Sequence, residues 1–213
     1  NFGPSGPRLV SRLCSFPRPT LLRSRMARLF AGLEQFVRGK TVVITGASDG
    51  IGAHLATRLG AAGARVLLVA RTAEKLRLVA EAIRAVGGEA HEYIANLSDD
   101  RDCQRVVQEI LADHSYVDIF VSNAGRSIRR SVKYQGSDRF HDFHRLMALN
   151  FFGALRLVLG LLPSMTERGS GHIVHVSTCG VPMRQPRFAG YCASKSALDA
   201  ALQSMAGEVA SKG

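Results

Sequence analysis

Tryptophan is absent from these 213 residues, and aromatic residues of every kind make up only 7%. Proteins that grip single-stranded nucleic acid stack its bases on aromatic side chains set among clustered cations, and here the basic runs carry no such interleaving. Cysteine is scarce as well. Its four copies, Cys14, Cys103, Cys179 and Cys192, form no CxxC pair and no other metal spacing, so neither a zinc module nor a disulfide-stapled secreted scaffold is predicted, and a reducing, cytoplasmic setting is expected. His141 and His144 lie three apart on a predicted helix without a third ligand in view, so no metal is expected. Uninterrupted apolar runs of the ~18 residues that span a bilayer are missing; the longest candidate, "FFGALRLVLGLL", is broken by Arg156, and no transmembrane segment is predicted.

Acidic residues are the remaining deficit, 17 against 28 lysines and arginines, for a formal charge of +11. That charge is unevenly spread. Residues 1–38 hold seven arginines and a single acid, Glu34, whereas 39–213 carries 21 basic and 16 acidic side chains; with most of the excess in one segment, a nucleic-acid partner is not expected. The segment 1–38 reads either as a transit-like leader or as a basic linker following an upstream domain. Within it Leu22, Met26, Leu29, Phe30 and Leu33 recur at helical spacing behind Thr20 as N-cap. A short helix is predicted there, packed on a neighbouring domain or on this one, or lying on a membrane surface.

What the chain does have, from Lys40 onward, is alternation. Five β-rich runs, "TVVITG", "ARVLLVAR", "AHEYIAN", "VDIFVSNAG" and "GHIVHVSTCG", are separated by helical patterns. Leu76, Val79, Ala80 and Ile83 line one helix face, opened by Thr72 and closed by Gly87. Cys103, Val106, Val107 and Ile110 line another, following Ser98. Such alternation predicts βαβ units and a parallel sheet covered on both faces.

The first strand runs into Gly46, Gly50 and Gly52 and then a helix. Glycines there permit a tight turn and close approach of backbone to a diphosphate, while a helix N-terminus presents free N–H groups; packing alone is the other use of such a turn. The spacing is GxxxGxG, and the lysine of a P-loop is missing. Farther on, "YCASK" sets Tyr191 and Lys195 at i and i+4, one above the other on a helix face, where an ammonium would stabilise a phenolate. Asn150 interrupts the apolar stretch "LMALNFFGALRL" and must find partners if buried. Ser177 falls at the carboxyl end of a strand, where open α/β sheets bind ligands.

Taken in order, "TGASDGIG" (45–52), "NAG" (123–125), Asn150, Ser177 and "YCASK" resemble the short-chain dehydrogenase/reductase family, whose pattern is TGxxxGxG, NAG, Asn, Ser and YxxxK; the likeness covers 39–213. It implies a Rossmann-like, doubly wound parallel sheet of about five strands, order 3-2-1-4-5, in three α/β/α layers, binding NAD(P). By the same resemblance Gly46, Ser48, Asp49, Gly50, Ile51 and Gly52 meet the cofactor, Asn96 and Leu97 flank the adenine, and Asn123, Ala124 and Gly125 lie beneath it. Tyr191 is then the acid/base, Lys195 tunes it and holds the nicotinamide ribose, Ser177 holds the carbonyl oxygen, and Asn150 anchors a water. After the second strand stands Arg71 where an acid would select NAD, so NADPH is expected, although Asp49 occupies a loop position where some NADP-preferring members carry a base. Arg126, Arg129 and Arg130 form either a solvated basic loop or an attractor for an anionic substrate.

"NAGRSIRRSV", "DRFHDFHRLMALNFFGALRLVLGLLP" and "GHIVHVST" are more narrowly similar to the reductase domain of bacterial fatty acyl-CoA reductases, which follows an upstream domain. The expected function is therefore an NADPH-dependent carbonyl reductase acting on a long-chain aldehyde. A ketoreductase or alcohol dehydrogenase for steroid-like, sugar or 3-oxoacyl compounds stays open. Complete family members continue through two more strands and a substrate loop, so the chain is expected to be C-terminally incomplete, which leaves a non-catalytic nucleotide-binding module as a further alternative. The resemblance also implies a homo-oligomer.

Overall fold

Strand β1 (Thr41–Thr45) is an unbroken apolar and β-branched run, buried along its whole length, as a strand with neighbours on both edges and helices on both faces must be. We describe it from a computed structural model of the chain, which describes residues 32–212. The chain falls into two units, Asn1–Phe36 and Val37–Gly213. Of the helical face expected over 22–33, only Leu33 lies among the described residues, in a helical stretch over 32–37; the rest of it lies outside them.

In the second unit β1 pairs in parallel with β2 (Arg65–Ala70) on one side and with β4 (Ile119–Ser122) on the other. β2 pairs onward with β3 (Glu89–Ile94) and β4 with β5 (His172–His175). The order is thus β3-β2-β1-β4-β5, as the family likeness implied, and the strands are parallel, as the alternating pattern predicted. Its reversal between β1 and β4 opens a crevice beyond the carboxyl ends of the strands, where such sheets bind ligands.

Helices α1 (Gly50–Ala61) and α2 (Ala73–Ala85) follow β1 and β2, and α3 (Asp100–His114) follows β3. One core gathers Val43, Leu67 and Phe120 from the sheet with Cys103, Val106 and Ile110 from α3. Val42, Ile44, Val66 and Leu68, the alternate residues of β1 and β2, are also fully buried and point to the opposite face. The cap of α3 differs from expectation. Asp99, not Ser98, is the N-cap, its Oδ1 accepting from the N–H groups of Arg101 and Asp102, and a carboxylate suits the positive end of a helix better than a hydroxyl.

After β4, helix α4 (His141–Met147) passes through a π-helical turn (Ala148–Gly153) into α5 (Ala154–Glu167). The whole spans 27 residues, and its most apolar 18-residue window has a mean hydropathy of 1.8, enough by length and composition to cross a membrane. The sequence expectation of no transmembrane segment is not overturned by this, because a helix packed into a protein core meets the same two measures. Leu146, Leu157, Val158 and Leu161 on its inward side are core residues. The π-turn has a packing reason, since Gly153 passes so close to the Leu97 carbonyl oxygen that any Cβ would collide with it. A short helix α6 (Gly180–Met183) and the long α7 (Ala189–Val209) complete the unit.

Candidate active site

Where β1 ends, Thr45 ties two loops together. Its Oγ1 accepts from Asn123 N and Ala124 N, both at 3.0 Å, and donates to Val121 O at 3.2 Å, so every bonding direction of the hydroxyl is used. Asn123 returns the contact by donating Nδ2–H to Thr45 O at 2.9 Å. The glycine turn and the NAG turn are therefore one rigid unit. Gly46, at φ +66, adopts a left-handed conformation that costs little without a Cβ. Gly52 is needed for space: a Cβ there would strike Gly46 O and lie 2.6 Å from Asn123 Nδ2. Gly52→Ala is expected to destabilise the fold by about 2 kcal/mol, within the usual range for overpacking, and to weaken nucleotide binding at least tenfold; thermal melting with and without NADPH checks both. Unaltered melting in both conditions would remove the turn from the site.

Beyond this turn lies a cavity of about 120 Å³ lined by Gly46, Ser48, Ala70, Arg71, Leu97, Ala124 and Gly125, among others. Six of the predicted cofactor residues thus share one wall. The others, Asp49, Gly50, Ile51, Gly52, Asn96, Asn123, Tyr191 and Lys195, do not line it. Asp49 caps α1 through Gly50 N and pairs with Lys75 Nζ, each at 2.8 Å, contacts that hold its carboxyl below the usual range, the Lys75 bond most of all. Ile51 points to solvent, and Asn96 spends its Oδ1 on Ser98 N in a local turn. A second cavity of about 250 Å³ shares Arg71 and Leu149 with the first and adds Arg126, His144 and Arg145; no acid lines it. The arginine cluster splits, because Arg130 is instead committed to the buried carboxylate of Asp142.

On the other side of the NAG turn, the π-turn sends Asn150 inward, 1% exposed. Its Oδ1 accepts from Arg126 N at 2.8 Å, and its Nδ2 donates to Arg126 O and to Ser194 Oγ, both at 2.9 Å. The asparagine therefore fastens the segment after NAG to α7. From α7, Lys195 is 4% exposed and donates to Val176 O at 2.9 Å. Its Nζ lies 3.6 Å from where a Cβ of Gly125 would be, so the ammonium stands beside the wall of the 120 Å³ cavity. Burial pushes its pKa below the ordinary lysine value, and Asp199 partly opposes that shift. Tyr191 sits one turn earlier, half-buried, its ring edge-on to Phe188 at 6.3 Å.

Ser177 does not turn its proton to this space. Its Oγ donates to Asp199 Oδ2 at 2.8 Å, a partner 22 residues away that no local pattern announces. Asp199 Oδ1 also lies 3.4 Å from Nε2 of His175, whose pKa is lowered by burial and then by the Lys195 charge. The next hydroxyl, Thr178 Oγ1, accepts from Gly180 N at 3.1 Å. A larger apolar cavity of about 410 Å³, lined by residues such as Val158, Met165, Ile173, Leu202 and Met205, runs along β5 and α7 and meets this network only at His175 and Asp199.

The sequence model of the short chain dehydrogenase family matches residues 40–213. Among curated proteins, the chain is 49% identical to a fatty acyl-CoA reductase of Acinetobacter baylyi over 182 residues, which is 85% of this chain and 61% of that protein. The chain spans 57 to 61% of the length of the first curated relatives it matches. Among solved structures, a metagenomic short-chain oxidoreductase in complex with NADP superposes with a TM-score of 0.77 at 34% identity, covering 83% of this chain and 79% of that one. An NAD+-bound xylitol dehydrogenase superposes at 0.76 with 26% identity, covering 82% and 66%.

Proposed function

This chain belongs to the short-chain dehydrogenase family, and on that premise we propose that it is an NADPH-dependent carbonyl reductase whose preferred substrate is a long-chain aldehyde. The observation that carries the reading is the placement of Lys195: a buried ammonium, one helical turn from Tyr191, beside Gly125 on the nucleotide cavity. The glycine turn fits a dinucleotide, because without Cβ atoms at positions 46 and 52 it packs directly against the NAG turn and keeps Gly46 on the cavity wall. When bound, the reduced nicotinamide supplies the hydride. Tyr191 supplies the proton to the carbonyl oxygen. Lys195 has three donors and gives one to Val176 O, leaving two for a ribose, and its charge favours the phenolate that proton transfer leaves behind. Asn150 holds the loop after Gly125 against α7, which fixes the distance between nucleotide wall and phenol. A hydroxyl at the end of β5, where Ser177 and Thr178 follow each other, orients the carbonyl.

The preference for NADPH rests on Arg71, which lines both cavities in company with Arg126 and Arg145 and without an acid. A guanidinium there matches the 2′-phosphate, and it cannot accept the hydrogen bond that a ribose 2′-hydroxyl gives to an acid. Losing one charge-assisted bond removes roughly 1.5–3 kcal/mol, so Arg71→Ala should raise the Kd for NADPH about 10- to 100-fold and leave that for NADH within about threefold. Fluorescence titration with both nucleotides decides this; equal losses would make Arg71 a general contact and withdraw the preference. The aldehyde preference is supported by the likeness to the Acinetobacter baylyi fatty acyl-CoA reductase. NADPH oxidation with decanal set against a panel of ketones and sugars tests it, and faster turnover of a ketone would replace the substrate.

A further inference from the structure

We propose that the mouth of the site is a docking surface for an anionic lipid bilayer, from which the chain draws its aldehyde; the aldehyde in this proposal rests on the reductase reading above. Two segments form that mouth, the stretch after the NAG turn and the one that enters α7. They are joined where Arg130 N donates to Arg187 O at 2.7 Å, four residues before Tyr191. Val132, Tyr134, Phe140 and Met183, from these two segments, are each 53 to 70% exposed. Single exposed apolar side chains are ordinary, but a cluster of them marks a surface that something covers. Val132 lies two residues from the joining bond and Met183 four, so a chain rising at most about 3.6 Å per residue keeps both near it. Phe140 stacks on Phe143 at 5.2 Å, and Phe143 lies 3.1 Å from where a Cβ of Gly190 would sit, in the first turn of α7.

Charge decides what covers it. Arg129, Lys133, Arg184 and Arg187 stand exposed on the same two segments, and among the described residues no carboxylate pairs with them. The acids of these segments are occupied elsewhere: Asp142 is buried against Arg130, and Asp138 lies 3.8 Å from Arg139. Arg184 and Arg187 are also held at φ +48 and +72, a left-handed backbone that glycine adopts freely and arginine does not. A turn kept for its shape alone has no reason to carry arginine at both places. Apolar side chains ringed by unpaired cations make an interfacial surface, the apolar groups entering the headgroup boundary and the cations meeting anionic lipid. The substrate class points the same way, because a long-chain aldehyde partitions out of water into lipid. A mouth resting on the bilayer meets it there.

The test is flotation of the intact protein with vesicles of phosphatidylcholine alone and of phosphatidylcholine mixed with phosphatidylglycerol, with thermal melting measured in parallel. Wild type should bind the mixed vesicles about tenfold more tightly or better, and high salt should remove most of the difference. Arg184→Gln with Arg187→Gln should weaken that binding about 30-fold, about fivefold for each charge lost. Val132→Ser with Met183→Ser should weaken it about tenfold, and because all these side chains are exposed, melting should stay put. Reduction of decanal free in solution should match wild type in both variants, whereas reduction of hexadecanal carried in mixed vesicles should fall with binding. Binding that survives both pairs of substitutions, as it would if the basic residues of 1–38 supplied it, overturns the proposal. So does wild-type protein that floats with neither vesicle, which would leave the rim to an acidic protein partner. Vesicle binding as expected without any aldehyde reduction would instead remove the reductase reading and leave the surface in place.

Discussion

Tyr191→Phe is expected to lower the rate of aldehyde reduction by about 10³-fold, inside the 10²–10⁴ range that a positioned acid or base contributes, while nucleotide affinity and stability stay put. The asymmetry follows from what the side chain touches. Among the described residues no hydrogen bond from a protein group reaches the hydroxyl, and the ring keeps its edge-on contact with Phe188 when the oxygen is removed. A half-buried side chain losing an unbonded polar atom changes stability by no more than about 0.5 kcal/mol. The phenol's value therefore lies wholly in its proton, set one turn from a buried ammonium. Single-turnover reduction separates this from slower product release, and a variant keeping more than a tenth of the wild-type rate would require another proton donor.

The fold was legible because every strand of the sheet is a local event. "TVVITG" and "ARVLLVAR" have no polar alternation, which only two-sided burial tolerates, and they became the centre of the sheet. "AHEYIAN" mixes polar with apolar residues, and its strand β3 lies at the sheet edge with only Ala90 and Tyr93 buried. The glycine turn was equally plain in its spacing, although the atoms that require Gly46 and part of those that require Gly52 come from the distant Asn123 and Ala124. The N-cap of α3 was misplaced by one residue because Ser98 and Asp99 both suit the position, and only the observed bonds distinguish them.

What could not be read are contacts between segments distant in sequence. Nothing in the sequence singled out Asp199, yet it accepts the hydrogen bond of Ser177; Asn150 looked like an interruption, and its bonds run to Arg126 and Ser194 on two other segments. Three neighbouring arginines after NAG read as one patch, whereas the buried Asp142 takes Arg130 out of it. The helix through Asn150 was legible from its apolar residues, but the π-turn within it was not. In each case the missing information is a partner, and a partner's identity is set by the tertiary fold.

Lys195→Met brings together the chemistry and the stability of the site, and the two are expected to move apart. Activity should fall by about 100-fold or more, because the variant loses both the charge that favours phenolate and the donors left for a ribose. Stability responds differently. The folded protein holds the Lys195 proton less tightly than the unfolded chain, since burial lowers the pKa and Asp199 only partly offsets it. As pH rises through the lowered folded value towards the ordinary lysine value, the unfolded chain binds more protons than the folded one, so this group makes stability increase with pH; below that window its penalty is constant. Methionine fills similar space with no charge to desolvate, but it leaves Val176 O without its donor, a loss that does not vary with pH. The melting temperature of the methionine variant relative to wild type should therefore be highest at neutral pH and decline as the pH approaches about 10.4, the free lysine value. A difference that stays flat across that interval would mean that Lys195 titrates alike in folded and unfolded chains, and the buried ammonium beside Tyr191 could not then be the source of a tuned phenol.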